Sequence, residues 1–209
     1  MPLNALNLTS EWTLSQWQSV AMGQAQLHLA DADREAVVAN RSVLDRGIEE
    51  GRIVYGVNTG FGALCTTAVE RHDLQRLQRN LIISHAAGSG PLAEPAIVRL
   101  MLAGKARNLA LGHSGVRPEL LDALLVLIKE DALPEVPVMG SLGASGDLAP
   151  LSHLSLSLIG EGFVHHRGQR KSATQFWAEV GLTPQVLEAK EGLALINGTQ
   201  FMQAVGFAS

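Results

Sequence analysis

Apolar residues recur at three- and four-residue steps along most of the chain, which is a helical period. Leu14, Trp17 and Ala21 share one face and predict a short helix over Thr13 to Met22. Leu27-His28-Leu29 reads as a short strand. Asp31 reads as an N-cap, and Val37, Val43, Leu44 and Ile48 mark a helix ending near Gly51. Ile53-Val54-Tyr55 is β-prone and runs into Gly56 to Gly62, a stretch too rich in glycine to be regular. Asp73 is the expected cap of the next helix. There Leu74, Leu77, Leu81 and His85 fall on one face, and Gly88 is placed to end the helix in a left-handed turn.

Pro95 to Leu111 is expected to be helical, tolerating Gly104 inside it. Pro118 suits a helix start, with Leu121, Leu124, Leu125 and Ile128 as the apolar face. Pro134 and Pro137 force an extended connector. Pro150 to Ile159 is apolar on nearly every side, so a buried helix is expected. Phe163 to Arg170 fits a hairpin turning at Arg167-Gly168, and Ser172 to Val180 a short helix stopped by Gly181. Leu193 to Ile196 leads into Asn197-Gly198-Thr199-Gln200, read as a strand-to-helix junction. The fold class predicted is mainly α with small β pieces at loop borders.

With 209 residues, 46% apolar and 17% charged, the chain can bury a sizeable core. The net charge of −4 is spread without a basic block, which argues against nucleic acid as a partner. No uninterrupted apolar run is long enough for a membrane span, and residues 1–13 lack the pattern of a secretion signal. A single cysteine, Cys65, excludes an internal disulfide framework and fits a reducing compartment, so a cytoplasmic location is expected.

The most unusual segment is Gly140-Ser141-Leu142-Gly143-Ala144-Ser145-Gly146-Asp147-Leu148-Ala149-Pro150. Alone it is compatible with a tight turn of small residues in which Asp147 caps a helix. It is not a phosphate-binding P-loop, because no lysine follows its glycines. Nor is it a nucleophile elbow, because Gly143 and Gly146 lie two before and one after Ser145. No pattern of histidines or paired cysteines supports a metal site. His28, His72, His113, His153, His165 and His166 read as structural or exposed.

Gly143-Ala144-Ser145-Gly146-Asp147-Leu148-Ala149-Pro150-Leu151 resembles the signature of the aromatic amino acid ammonia-lyases. Three further segments match that family in order: Tyr55 to Gly62, Ser84-His85-Ala86-Ala87-Gly88, and Glu191 to Thr199. The resemblance covers essentially the whole chain. It implies a multihelical domain of the fumarase/aspartase-like superfamily, with residues 1–209 as its N-terminal part. Family members are more than twice as long, so central helical-bundle and C-terminal regions would be absent here.

The resemblance also implies chemistry. In the family the tripeptide matching Ala144-Ser145-Gly146 closes on itself and loses water, forming a methylidene-imidazolone (MIO) ring without metal or dissociable cofactor. Small residues suit that closure, since the Gly146 nitrogen must approach the Ala144 carbonyl. The flanking loop would impose the strain, Asp147 would accept backbone hydrogen bonds, and the following helix would set a partial positive charge nearby. Such an electrophile answers a chemical need, because an amine leaves poorly and no ordinary side chain activates it. Tyr55 falls at the family's catalytic tyrosine, a candidate base for the β-proton once its pKa is lowered. A buried strand tyrosine is the plainer alternative. Asn197 falls at a family asparagine that orients ring and substrate, although Asn-Gly alone is simply a turn.

His85 carries the substrate reading. On spacing alone it is a satisfied core histidine. The pair Ser84-His85 resembles the histidine-using branch, where an imidazole exchanges hydrogen bonds with the substrate's imidazole. The expected reaction is therefore L-histidine to urocanate and ammonia, in a homotetramer. Two alternatives stand beside it: a phenylalanine or tyrosine lyase or aminomutase with the same ring, and an inactive structural fragment.

Overall fold

The structure is a computed structural model that describes residues 4–54, 56–59, 69, 73–143 and 146–208. Its axis is helix α4 (Pro95–Ala110), which buries residues on most of its surface, among them Val98, Met101, Leu102, Lys105, Ala106 and Leu109. A helix apolar on most sides needs cover from several directions. α1 (Leu14–Ala21), α2 (Asp31–Glu49), α5 (Pro118–Lys129) and α9 (Gln200–Ala208) pack on it. The glycine expected to be tolerated in α4 has a packing reason. A Cβ on Gly104 would stand 3.3 Å from Gln200 Cγ on α9.

The helix starts follow local chemistry. Thr13 caps α1 with Gln16 in a reciprocal box, and Ser172 caps α7 (Ala173–Glu179) with Gln175 in the same way. The expected cap Asp31 is instead the first residue of α2, behind Ala30. Asp31 and Asp33 sit in the first turn, where the helix end favours negative charge. Asp33 also accepts hydrogen bonds from Asn7 and Thr9, which tie down the strand before it. Asp73 precedes α3 (Leu74–His85) but makes no capping bond, and pairs with Arg76 at 3.0 Å.

Small β pieces lie at the loop borders. β1 (Asn4–Asn7) and β2 (Ala25–His28) pair in parallel across the α1 crossover, two residues ahead of the expected strand. β3 (Ser89–Leu92) pairs antiparallel with β5 (Pro137–Met139). β4 (Leu133–Pro134), β6 (Phe163–His166) and β7 (Gln169–Ser172) form a second antiparallel sheet. The β6–β7 turn falls at Arg167-Gly168 as expected, both with positive φ, the geometry that two-residue hairpins favour.

The buried helix after the small-residue loop, α6 (Leu148–Leu156), begins two residues before Pro150, with a short 3₁₀ turn at Ser157–Ile159. Pro150 then lies in the first turn, where its missing N–H costs nothing. The junction at Asn197 differs from expectation. Leu193 to Ile196 belong to a short buried helix, α8 (Glu191–Ile196), so Asn197 joins two helices. A short apolar run carries no period that separates strand from buried helix. Among the described residues, no helix is long and apolar enough to cross a membrane.

Candidate active site

The loop 140–147 is held from both ends. Before it, β5 pairs with β3, so Ser89 stands opposite Met139, and the segment after His85 reaches the loop entrance. After it, α6 begins at Leu148. Gly88 does not end α3, and its φ is not in the left-handed region. Ala86 follows the last helical residue, His85. Gly88 serves instead as a contact point. Its N–H donates to His153 Nε2 at 3.0 Å, and it packs against Gly140. Burial pushes the His153 pKa down, so its ring stays neutral and can accept that bond.

Gly146 and Asp147 meet the turn at Asn197-Gly198 directly. The Asp147 N–H donates to the Gly198 carbonyl at 2.7 Å. Gly146 has φ +91°, and a Cβ there would overlap the same carbonyl oxygen. Only glycine fits both the backbone angle and the space. The Asp147 side chain is fully buried. It does not cap α6. One carboxylate oxygen accepts from Ser141 Oγ at 2.7 Å and the other from the Met202 N–H at 2.9 Å. It thus links the loop's entrance, its exit and the start of α9.

The position of Asn197 is fixed through α8. Glu191, fully buried, accepts from the Arg117 backbone N–H (2.9 Å), Arg117 Nε (3.0 Å), Arg117 Nη2 (2.8 Å) and the Glu188 N–H (2.8 Å). That carboxylate also raises the Arg117 pKa, chiefly through the side-chain hydrogen bond. Gln78 on α3 accepts from the Gly192 N–H at 2.9 Å. α3, which carries His85, is thereby keyed to α8, which carries Asn197. At the other end of α8, Lys105 Nζ donates to the carbonyls of Ala194 (3.1 Å) and Asn197 (3.0 Å). Asn197 itself is exposed beside a polar cleft of about 360 Å³ lined by Asn108, His113, Lys190 and Gln203 among others.

His85 is half-buried, and its Nδ1 lies 2.8 Å from the Leu81 carbonyl. A carbonyl can only accept, so Nδ1 carries the proton and Nε2 is the acceptor of the neutral ring. His85 lies three residues before Gly88, whose backbone packs on Gly140 at the loop entrance. Tyr55, Ala144, Ser145 and Cys65 lie outside the described residues. On either side of Tyr55 the chain is braced. The Val54 N–H donates to Asn58 Oδ1 at 2.8 Å, and the Gly56 N–H to Thr59 Oγ1 at 3.2 Å. Sequence reasoning missed Lys105, Ser141 and Gln78. The signal for Lys105 was present: it falls at helical spacing on the face of Val98, Leu102 and Leu109, where an apolar residue is expected.

A helical frame that braces a small-residue loop between helix ends defines the class of protein. The model of the aromatic amino acid lyase family matches residues 12–209, and the chain belongs to that family. Within it, the chain is 49% identical over 195 residues to a histidine ammonia-lyase from Deinococcus radiodurans, covering 93% of this chain and 37% of that protein. The crystal structure of histidine ammonia-lyase from Trypanosoma cruzi superposes with a TM-score of 0.89 at 35% identity, covering 99% of this chain and 40% of that one. Tyrosine aminomutase from Streptomyces globisporus superposes with a TM-score of 0.90 at 36% identity, covering 99% and 38%. The chain thus spans well under half the length of these relatives.

Proposed function

We propose that the protein containing this chain is an ammonia-lyase that converts L-histidine to urocanate and ammonia, with an MIO electrophile made from Ala144-Ser145-Gly146. The observation that carries the reading is the close seat of Gly146 and Asp147 on the Asn197-Gly198 turn. Ring closure needs a backbone nitrogen held against its natural extension, and the Gly198 carbonyl with the Asp147 anchors supplies that constraint. When formed, the MIO group supplies the electrophile that an α-amine requires as a leaving-group activator. Asp147 holds both ends of the loop. The first turn of α6, beginning two residues after Gly146, sets a positive helix end beside it. In this reading Asn197 orients the substrate and Tyr55 is the base for the β-proton.

His85 supports histidine as the substrate, because its Nε2 offers a lone pair to an imidazole N–H. The likeness to histidine ammonia-lyases over most of this chain supports the same choice. The likeness to a tyrosine aminomutase favours, as a second reading, a sister reaction on another aromatic amino acid. The whole protein is read as a cytoplasmic homotetramer.

The test uses the protein as it is naturally produced. Its intact mass should be two waters below the sequence mass, and it should release urocanate from histidine. His85→Phe should lower histidine turnover about 100-fold or more while leaving unfolding unchanged. Tyrosine or phenylalanine consumed in preference to histidine would move the assignment to the second reading. Histidine turnover unaffected by His85→Phe would remove the substrate argument.

A further inference from the structure

We propose that Lys105 is a positioning residue for this site: from the centre of α4 it holds the Asn197-Gly198 turn against the loop at Gly146-Asp147. The inference rests on the ring-forming reading above. Lys105 has no solvent exposure, and its Nζ spans two carbonyls three residues apart, Ala194 (3.1 Å) and Asn197 (3.0 Å). These belong to the last turn of α8 and the residue after it, where a helix leaves carbonyls without partners. Such groups are commonly settled by water or by a local capping turn, neither of which ties the helix end to a distant element. Here the donor comes from α4, which buries residues on most of its surface, so the turn is referenced to the core.

The turn in question makes contact with the loop. Its Gly198 carbonyl receives the Asp147 N–H and leaves no room for a side chain at Gly146. A shift of Asn197 would therefore be passed to Gly146 through one intervening residue. Nothing in packing alone calls for a lysine at this position, because an amine buried among apolar side chains costs more than a methionine would. Burial lowers the Lys105 pKa to about 7, with Asp147 drawing it back upward. The amine keeps at least two N–H donors in either protonation state, so both carbonyls stay bonded.

Intact mass and activity of the naturally produced protein, carrying Lys105→Met, Lys105→Gln or Leu109→Ala, separate this role from general core support. Methionine keeps the stem and removes the donors. Glutamine restores an N–H₂ at shorter reach. Leu109, buried on the same helix, reports loss of core stability alone. Wild type and Leu109→Ala are expected to be two waters lighter than their sequences. Lys105→Met should carry the dehydrated ring in about tenfold fewer of its folded molecules, and Lys105→Gln should recover part of that loss. Should Lys105→Met not fold, Lys105→Gln decides, falling between wild type and none. Dehydration of either Lys105 variant to the level of Leu109→Ala would overturn the positioning role. A wild type at full sequence mass would instead sink the ring reading itself, so the two failures are distinguishable.

Discussion

Replacing Gly146 with alanine puts a number on the contact between the loop and the α8–α9 turn. Two costs add. The backbone at φ +91° is in a region that L-residues enter at about 1–2 kcal/mol. The new Cβ would also overlap the Gly198 carbonyl, and relieving that overlap breaks its bond to the buried Asp147 N–H, at about 1–3 kcal/mol. The expected loss is about 2–5 kcal/mol. Gly181→Ala is the matched control, because Gly181 has φ +73° and open space around its Cβ position. It should lose only the backbone part, about 1–2 kcal/mol. Urea unfolding followed by fluorescence of the buried Trp177 reads the difference. At a slope of roughly 2 kcal/mol/M, the two midpoints should differ by about 0.5–1.5 M. Coincident midpoints would refute the reasoning, since the Gly198 carbonyl would then be no barrier at all.

Removing the buried carboxylate with Glu191→Ala leaves Arg117 and two backbone N–H groups without their acceptor, and should cost about 3–5 kcal/mol in a urea titration; a loss under about 1 kcal/mol would contradict the anchoring role given to α8. Lys105 sets a pH dependence. Its folded pKa of about 7 lies below the ordinary 10.5, so the unfolded chain binds more protons between those values. Its contribution to stability should therefore rise with pH across that window and be lost as pH falls through about 7. Unfolding midpoints of wild type and Lys105→Met, compared from pH 6 to pH 9 (roughly the accessible part of the window), should diverge in that sense, and parallel curves would exclude it. Trp177 donates its indole N–H to the Ser157 carbonyl at 2.7 Å. Trp177→Phe should cost about 1–3 kcal/mol through that unpaired carbonyl and the lost ring volume, read as a lowered thermal midpoint.

Much of the helical frame was legible because its signals are local. Pro95, Pro118, Thr13 and Ser172 each act on their own turn, and the residues that follow repeat at helical steps. The Arg167-Gly168 hairpin was visible for the same reason. The pieces that failed depend on distant partners. Asp147 looked like a helix cap, yet its oxygens go to Ser141 and to Met202, a residue far along the chain. Gly88 looked like a helix stop, yet it meets Gly140 and His153. β3 has no pattern of its own and exists because β5 lies beside it. The motif segments could be named from the sequence, but how they touch could not. Lys105 and Gln78, which key α4 and α3 to α8, belong to none of those segments.

The bond from Met202 to Asp147 spans 55 residues. A ribosome adding about 5–20 residues per second needs several seconds to cover that distance. During that interval Ala144, Ser145 and Gly146 are already joined into the chain while Met202 does not yet exist. The brace on the tripeptide is thus completed only after the residues of α9 have been made. Any backbone chemistry that relies on it has a built-in clock, starting only once the surrounding scaffold has been made.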